Sequence, residues 1–96
     1  MAIAVVQEWI VGDDRSTENY DAIDERLKAV GAPEGLIVHC AGFVGDRFRI
    51  FDVWESSADY NRFLSEHLQP AIEAVVPADA PPPDIKTYEL HNVITP

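Results

Sequence analysis

Cysteine and positive charge are both scarce in this chain. There is one cysteine in 96 residues, and seven lysines and arginines stand against seventeen aspartates and glutamates. Each shortage closes off a class of function. Cys40 alone cannot form an internal disulfide, so a reducing compartment, the cytoplasm, is the expected one. A formal net charge of −10 with the bases scattered singly repels a phosphate backbone and an anionic bilayer alike, so neither nucleic acid nor a membrane is an expected partner. No apolar run is long enough to span a bilayer, and "MAIAVVQEW" has no basic segment ahead of its apolar residues. The five glycines build neither a dinucleotide fingerprint nor a Walker-like loop, which argues against a nucleotide cofactor.

What is present is ordinary for a globular chain: 47% hydrophobic and 25% charged residues, enough for one modest core and a single domain over 1–96. "AIAVVQEW" (2–9) is short, β-branched and bounded by the turn-rich "GDDRST", which predicts a first strand. A helix follows, capped by Ser16 or Thr17, with Tyr20, Ile23, Leu27 and Val30 as its core stripe, Asp24 four residues before Lys28, and Gly31 and Pro33 at its end. "GLIVHCAGFVGDRFRIFDVWES" (35–56) is a strand, a two-residue Gly45-Asp46 turn and a returning strand. The second helix starts at Ser56 or Ser57 with Asp59 in capping-box position, lays down Tyr60, Phe63, Leu64 and Leu68, and is expected to break or kink at Pro70. "PADAPPPD" is an extended connector back to a final strand at 85–94. The order β-α-β-β-α-β is the ferredoxin-like α+β arrangement, an antiparallel sheet with both helices on one face.

A two-residue turn sets the register of the hairpin. Val44 faces Arg47, and counting outward pairs Phe43 with Phe48, Ala41 with Ile50, His39 with Asp52, and Ile37 with Trp54. His39 and Asp52 fall at a close pair, with Cα atoms about 4.5 Å apart. The other face carries Leu36, Val38, Cys40 and Gly42 against Phe51 and Val53, the surface expected to lie under the helices. The His39–Asp52 face is then helix-free, and its exposed Ile37, Phe43, Phe48, Ile50 and Trp54, together with unpaired edge strands, call for a second subunit.

The stretches "GLIVHCAG", "FRIFDVWES" with "DYNRFLSEHLQPAI", and "PPPDIKTYELHNVI" resemble the dimeric α+β barrel superfamily, and specifically small antibiotic-biosynthesis-monooxygenase-like members. The resemblance covers nearly the whole chain. It implies a homodimer whose two sheets enclose a lumen on the helix-free side, and relatives that include cofactor-independent monooxygenases, cyclases, isomerases, haem-handling enzymes and stress-induced proteins. A faint echo between "VVQEW" and "IFDVW" places Gln7 and Trp9 beside Asp52 and Trp54, and His91 in the place of His39. The expected pocket has Trp9, Phe43, Phe48, Ile50 and Trp54 as walls and Gln7, His39, Asp52 and His91 as its polar groups.

In that setting His39 is a candidate general base whose tautomer Asp52 fixes, with Gln7 or His91 stabilising developing oxyanion charge. The chemistry that fits is cofactor-free oxygenation or cyclisation of an aromatic or polyketide-like compound, beginning with removal of a proton. Three alternatives stand beside it. His39 and Asp52 can be a polar pair that only fixes sheet register, and the protein can be a non-catalytic ligand-binding or stress-response protein. His39, Asp52 and His91 also make a two-histidine, one-carboxylate set suited to a metal, but they come from strands at opposite edges of the sheet, about 14 Å apart. No metal and no cofactor is therefore expected.

Overall fold

Alternation along "IAVVQEWI" sends Ile3, Val5, Gln7 and Trp9 to one face of β1 (Ile3–Ile10) and Ala4, Val6, Glu8 and Ile10 to the other. The computed structural model describes residues 1–10 and 16–96, so most of the expected turn "GDDRST" lies outside the described residues. The chain continues as α1 (Glu18–Lys28), β2 (Leu36–Val44), β3 (Arg47–Trp54), α2 (Ser57–Phe63), a π-helical segment over Leu64–Leu68, α3 (Gln69–Val75) and β4 (Asp84–Glu89). The four strands form one antiparallel sheet in the order β2-β3-β1-β4, the ferredoxin-like α+β topology. Among the described residues no helix is long and apolar enough to cross a membrane.

Local chemistry sets the element ends. Gly45 turns the β2–β3 hairpin with φ +61°, a left-handed conformation that glycine adopts without a Cβ clash. The Ser56 hydroxyl accepts from the Asp59 N–H at 3.1 Å and donates to Asp59 Oδ2 at 2.9 Å, so one cap satisfies both partners at the start of α2. On α1, the expected Asp24–Lys28 ion pair forms at 3.5 Å, and Thr17 donates to Asp21 instead of capping the backbone. Pro70 does not break the second helix. The π-helical turn before it, closed by the Gln69 N–H on the Leu64 carbonyl, widens the spiral where a proline lacks a donor and crowds the preceding turn. The final strand is shorter than expected, ending at Glu89, although the Leu90 N–H still reaches the Ala2 carbonyl at 2.9 Å.

The hairpin register matches expectation from Val44–Arg47 through His39–Asp52 to Val38–Val53 and then departs from it. Leu36, not Ile37, stands opposite Trp54, because the strand is irregular between Leu36 and Val38. A larger correction concerns the faces. The helices cover the side that carries Gln7, His39, Asp52 and Trp54, while Val38 and Cys40 lie exposed on the open side. The sequence argument assigned the small aliphatic residues to the helices. In the fold the helical layer instead takes the bulkiest side chains, since these remove the most apolar surface from water. Trp54, 1% exposed, packs with Ile3, Val5 and Tyr60 in the core, bordered by Leu36, Phe63 and Leu64. Val30, expected on the core stripe of α1, is 51% exposed.

Candidate functional site

α1 contains no fully buried residue. Its apolar stripe of Tyr20, Ile23 and Leu27 looks across open space at the sheet, and that space is a cavity of about 390 Å³. The sheet supplies Gln7, Trp9, His39, Ile50, Asp52 and Trp54; α1 adds Asp24 and Lys28 beside its stripe; Phe63, Leu68 and Ile72 close the side. A second cavity of about 360 Å³ adjoins it, sharing Trp9, Tyr20 and Ile50 as common wall and adding Phe48, Val76 and Pro81. The pocket therefore lies within one chain, between helices and sheet, and not in a lumen on the helix-free face.

On the cavity wall His39 Nδ1 stands 2.6 Å from Asp52 Oδ1, and His39 Nε2 stands 2.7 Å from the Tyr20 hydroxyl. Asp52 is buried, 8% exposed, and the acceptor-only carboxylate fixes the tautomer: Nδ1–H donates to Asp52 and Nε2 accepts from Tyr20. The hydrogen bond to Asp52 raises the histidine's pKa above its ordinary value; burial opposes this, and the Asp52 and Asp24 charges reinforce it. Burial, then the charges of Asp24, Asp52 and Asp21, push the Tyr20 phenol up. A second polar group forms around Gln7, 5% exposed, whose Oε1 accepts from Trp9 Nε1 at 3.3 Å. Burial raises the Tyr60 phenol, as does the Asp52 charge, while a hydrogen bond with Gln7 pulls it the other way. Trp54 lines the same cavity with its Nε1 buried and, among the described residues, without a hydrogen-bond partner.

No protein-family model and no curated protein matches the sequence. Solved structures match the fold closely. Protein NE2512 of unknown function from Nitrosomonas europaea superposes with a TM-score of 0.76 at 21% identity, over 99% of this chain and 94% of that one. SnoaB, a cofactor-independent oxygenase from Streptomyces nogalater, gives 0.69 at 12% identity, over 97% of this chain and 96% of its own. Rv0793 from Mycobacterium tuberculosis gives 0.76 at 12% identity, over 99% and 100%. These structures share the ferredoxin-like α+β fold of this chain. Identities this low establish architecture and carry no reaction with them.

Within this fold, the cavity brings together most of the residues expected in the site. Gln7, Trp9, His39, Ile50, Asp52 and Trp54 all border it. Phe48 borders the adjoining cavity, with Phe43 behind it in an edge contact at 5.1 Å between ring centres. His91 is exposed beyond the end of β4, at the opposite sheet edge from His39, so the set His39, Asp52 and His91 does not converge. Cys40, expected to face the helices, is exposed on the open face. Sequence reasoning missed Tyr20, read as a core residue of α1. Its one available signal was a phenol at the head of an otherwise aliphatic stripe, since a half-buried hydroxyl needs a partner.

Proposed function

We propose that the chain binds a small aromatic or polyketide-like compound between its helices and sheet and acts on it by His39–Asp52 acid-base chemistry, as a cofactor-independent monooxygenase or cyclase. The observation that carries this reading is the hydrogen-bonded chain from Tyr20 through His39 to buried Asp52 on the wall of a largely apolar cavity. A purely structural pair has no reason to border so much open space. The aromatic lining suits a flat ligand. The likeness of fold to SnoaB supports the oxygenase branch of the proposal. The first step removes a proton from a phenol or activated carbon; the resulting anion then meets O2 or an internal carbonyl. Incubating the protein with a panel of naphthols, hydroquinones and linear β-polyketides while following dissolved oxygen and product mass tests it. Turnover lost in His39→Ala is the expected result. Saturable binding without product for the whole panel would favour a ligand-storage or stress-response role.

The proposal includes a homodimer closed over the open face. Val38, Val44 and Tyr88 are 44%, 47% and 51% exposed there, and β2 and β4 are unpaired edges in the single chain. Sedimentation is expected to give a stable dimer at micromolar concentration, and Val38→Asp to shift it to the 10.7 kDa monomer. A monomer in the unaltered protein would overturn this part while leaving the cavity intact.

A further inference from the structure

Both nitrogens of His39 are already engaged, Nδ1 by Asp52 at 2.6 Å and Nε2 by the Tyr20 hydroxyl at 2.7 Å. A ligand in the cavity therefore meets no free imidazole nitrogen. It meets the Tyr20 side chain, which borders both cavities. The Tyr20 and His39 rings are within 5° of parallel with centres 6.1 Å apart. That separation is too long for face-to-face contact. Together with the 2.7 Å bond it sets the phenol oxygen at the Nε2 edge of the imidazole and not over its face.

We propose that Tyr20 is the catalytic group that exchanges a proton with the ligand, and that His39 and Asp52 act through it as a relay. The proposal rests on the acid-base reading above and names the atom that performs it. The ligand's O–H or activated C–H bond breaks, leaving its electron pair on the ligand, and that proton forms a new O–H bond on Tyr20. In the same event Tyr20 gives its own proton to His39 Nε2. The products are a ligand anion and an imidazolium, the latter paired with the Asp52 carboxylate; no oxidant or reductant is consumed. The reverse sequence returns the proton, so one device serves as base and then as acid.

The surroundings favour a concerted exchange over a standing phenolate. Burial, then the charges of Asp24 on α1, Asp52 on β3, Asp21 on α1 and Cys40 on β2, raises the pKa of the phenol; Lys28 of α1 also borders the cavity. Tyr20 thus remains protonated on both sides of the step. Because Trp9, Tyr20 and Ile50 border both cavities, the ionising group of the ligand lies at their junction, with apolar ligand surface extending to either side.

The test uses 4-nitrophenol, whose phenolate absorbs in the visible, bound to the full chain and titrated with acid. In the unaltered protein the bound probe is expected to ionise about one pH unit or more below the free probe, a tenfold change in proton affinity. Tyr20→Phe, which removes a single oxygen, is expected to abolish that shift. The NMR titration of the His39 ring should persist in Tyr20→Phe and report that the fold and the His39–Asp52 pair survive. His39→Gln is expected to abolish the shift as well. A shift that persists in Tyr20→Phe but vanishes in His39→Gln would overturn the relay, leaving His39 as the group that meets the ligand. No shift in the unaltered protein would overturn the acid-base reading together with the relay.

Discussion

One sheet, two faces, and nearly opposite fates. On the helix-covered face Gln7, Asp52 and Trp54 are 5%, 8% and 1% exposed. On the other, Val38, Val44 and Tyr88 stay about half exposed and the charged pair Glu8–Arg49 spans two strands. Both faces arise from the same alternation in the same strands, so strand propensity does not distinguish them. The difference is what lies above. Helices that stand off the sheet create a volume in which polar groups must find partners, and they do so in the Tyr20–His39–Asp52 and Trp9–Gln7 sets. On the open face Ala4 and Val53 are buried, at 0% and 7% exposed, while Val38, Val44 and Tyr88 toward its edges stay about half exposed.

The largest expected effect is on the covered face. Trp54→Ala removes the core side chain packed against Tyr60 and Phe63 at ring-centre distances of 5.7 and 5.3 Å, and is expected to cost about 3–5 kcal/mol in urea unfolding. Trp54→Phe should cost much less, because it also removes an indole N–H buried without a partner. A loss in Trp54→Phe approaching that of Trp54→Ala would mean that the N–H makes a hydrogen bond in solution.

Asp52→Asn breaks the comparison at its polar centre. The hydrogen bond to Asp52 is the first cause of the raised His39 pKa, so the NMR titration midpoint of His39 is expected to fall in this variant. The sign for stability follows by linkage. With the folded pKa above the unfolded value of about 6.5, the stabilisation is fully present below that unfolded value and disappears as pH rises through the folded midpoint. Unfolding curves of the unaltered protein and Asp52→Asn should therefore differ most in mildly acidic buffer and converge toward higher pH. Parallel curves across that window would mean that the pair does not titrate as a unit.

The same comparison explains what was legible beforehand. Register was legible: a Gly-Asp turn fixes which residues pair, and His39 fell opposite Asp52 on a count alone. The face was not. Both sides of β2 and β3 are apolar, so alternation could not say which side the helices take, and aromatic bulk was the better guide than small size. His91 was placed by assuming that β4 runs past Glu89, whereas no internal repeat enforces that length. Tyr20 was invisible as a site residue because helical spacing reports which side of α1 faces inward, not how far the helix stands from what it faces.

A smaller effect belongs to the roof of the cavity. Ser56→Ala removes the acceptor of the Asp59 N–H and should cost about 1 kcal/mol in urea unfolding, the usual value of a helix N-cap. Its His39 titration should be unchanged, since α2 contributes no group to the Tyr20–His39–Asp52 chain. A displaced titration would mean that the cap sets the height of the helices over the sheet.

The smallest expected effect decides the fate of the open face. Arg49 Nη2 meets Glu8 Oε2 at 3.0 Å between β1 and β3, with side-chain exposures of 44% and 23%. Left in water, such a pair is worth about 0–1 kcal/mol and weakens with salt. A double-mutant cycle on Glu8→Gln and Arg49→Gln at high and low ionic strength measures the coupling directly. In Val38→Asp, expected to be monomeric, the coupling should be small and salt-dependent. In the unaltered protein a second copy over this face would strip water from both charges, so removing one partner alone should cost distinctly more than in the monomer and depend less on salt. The same small coupling in both backgrounds would mean that the pair faces water in either state, and that whatever covers Val38 and Tyr88 stops short of β1.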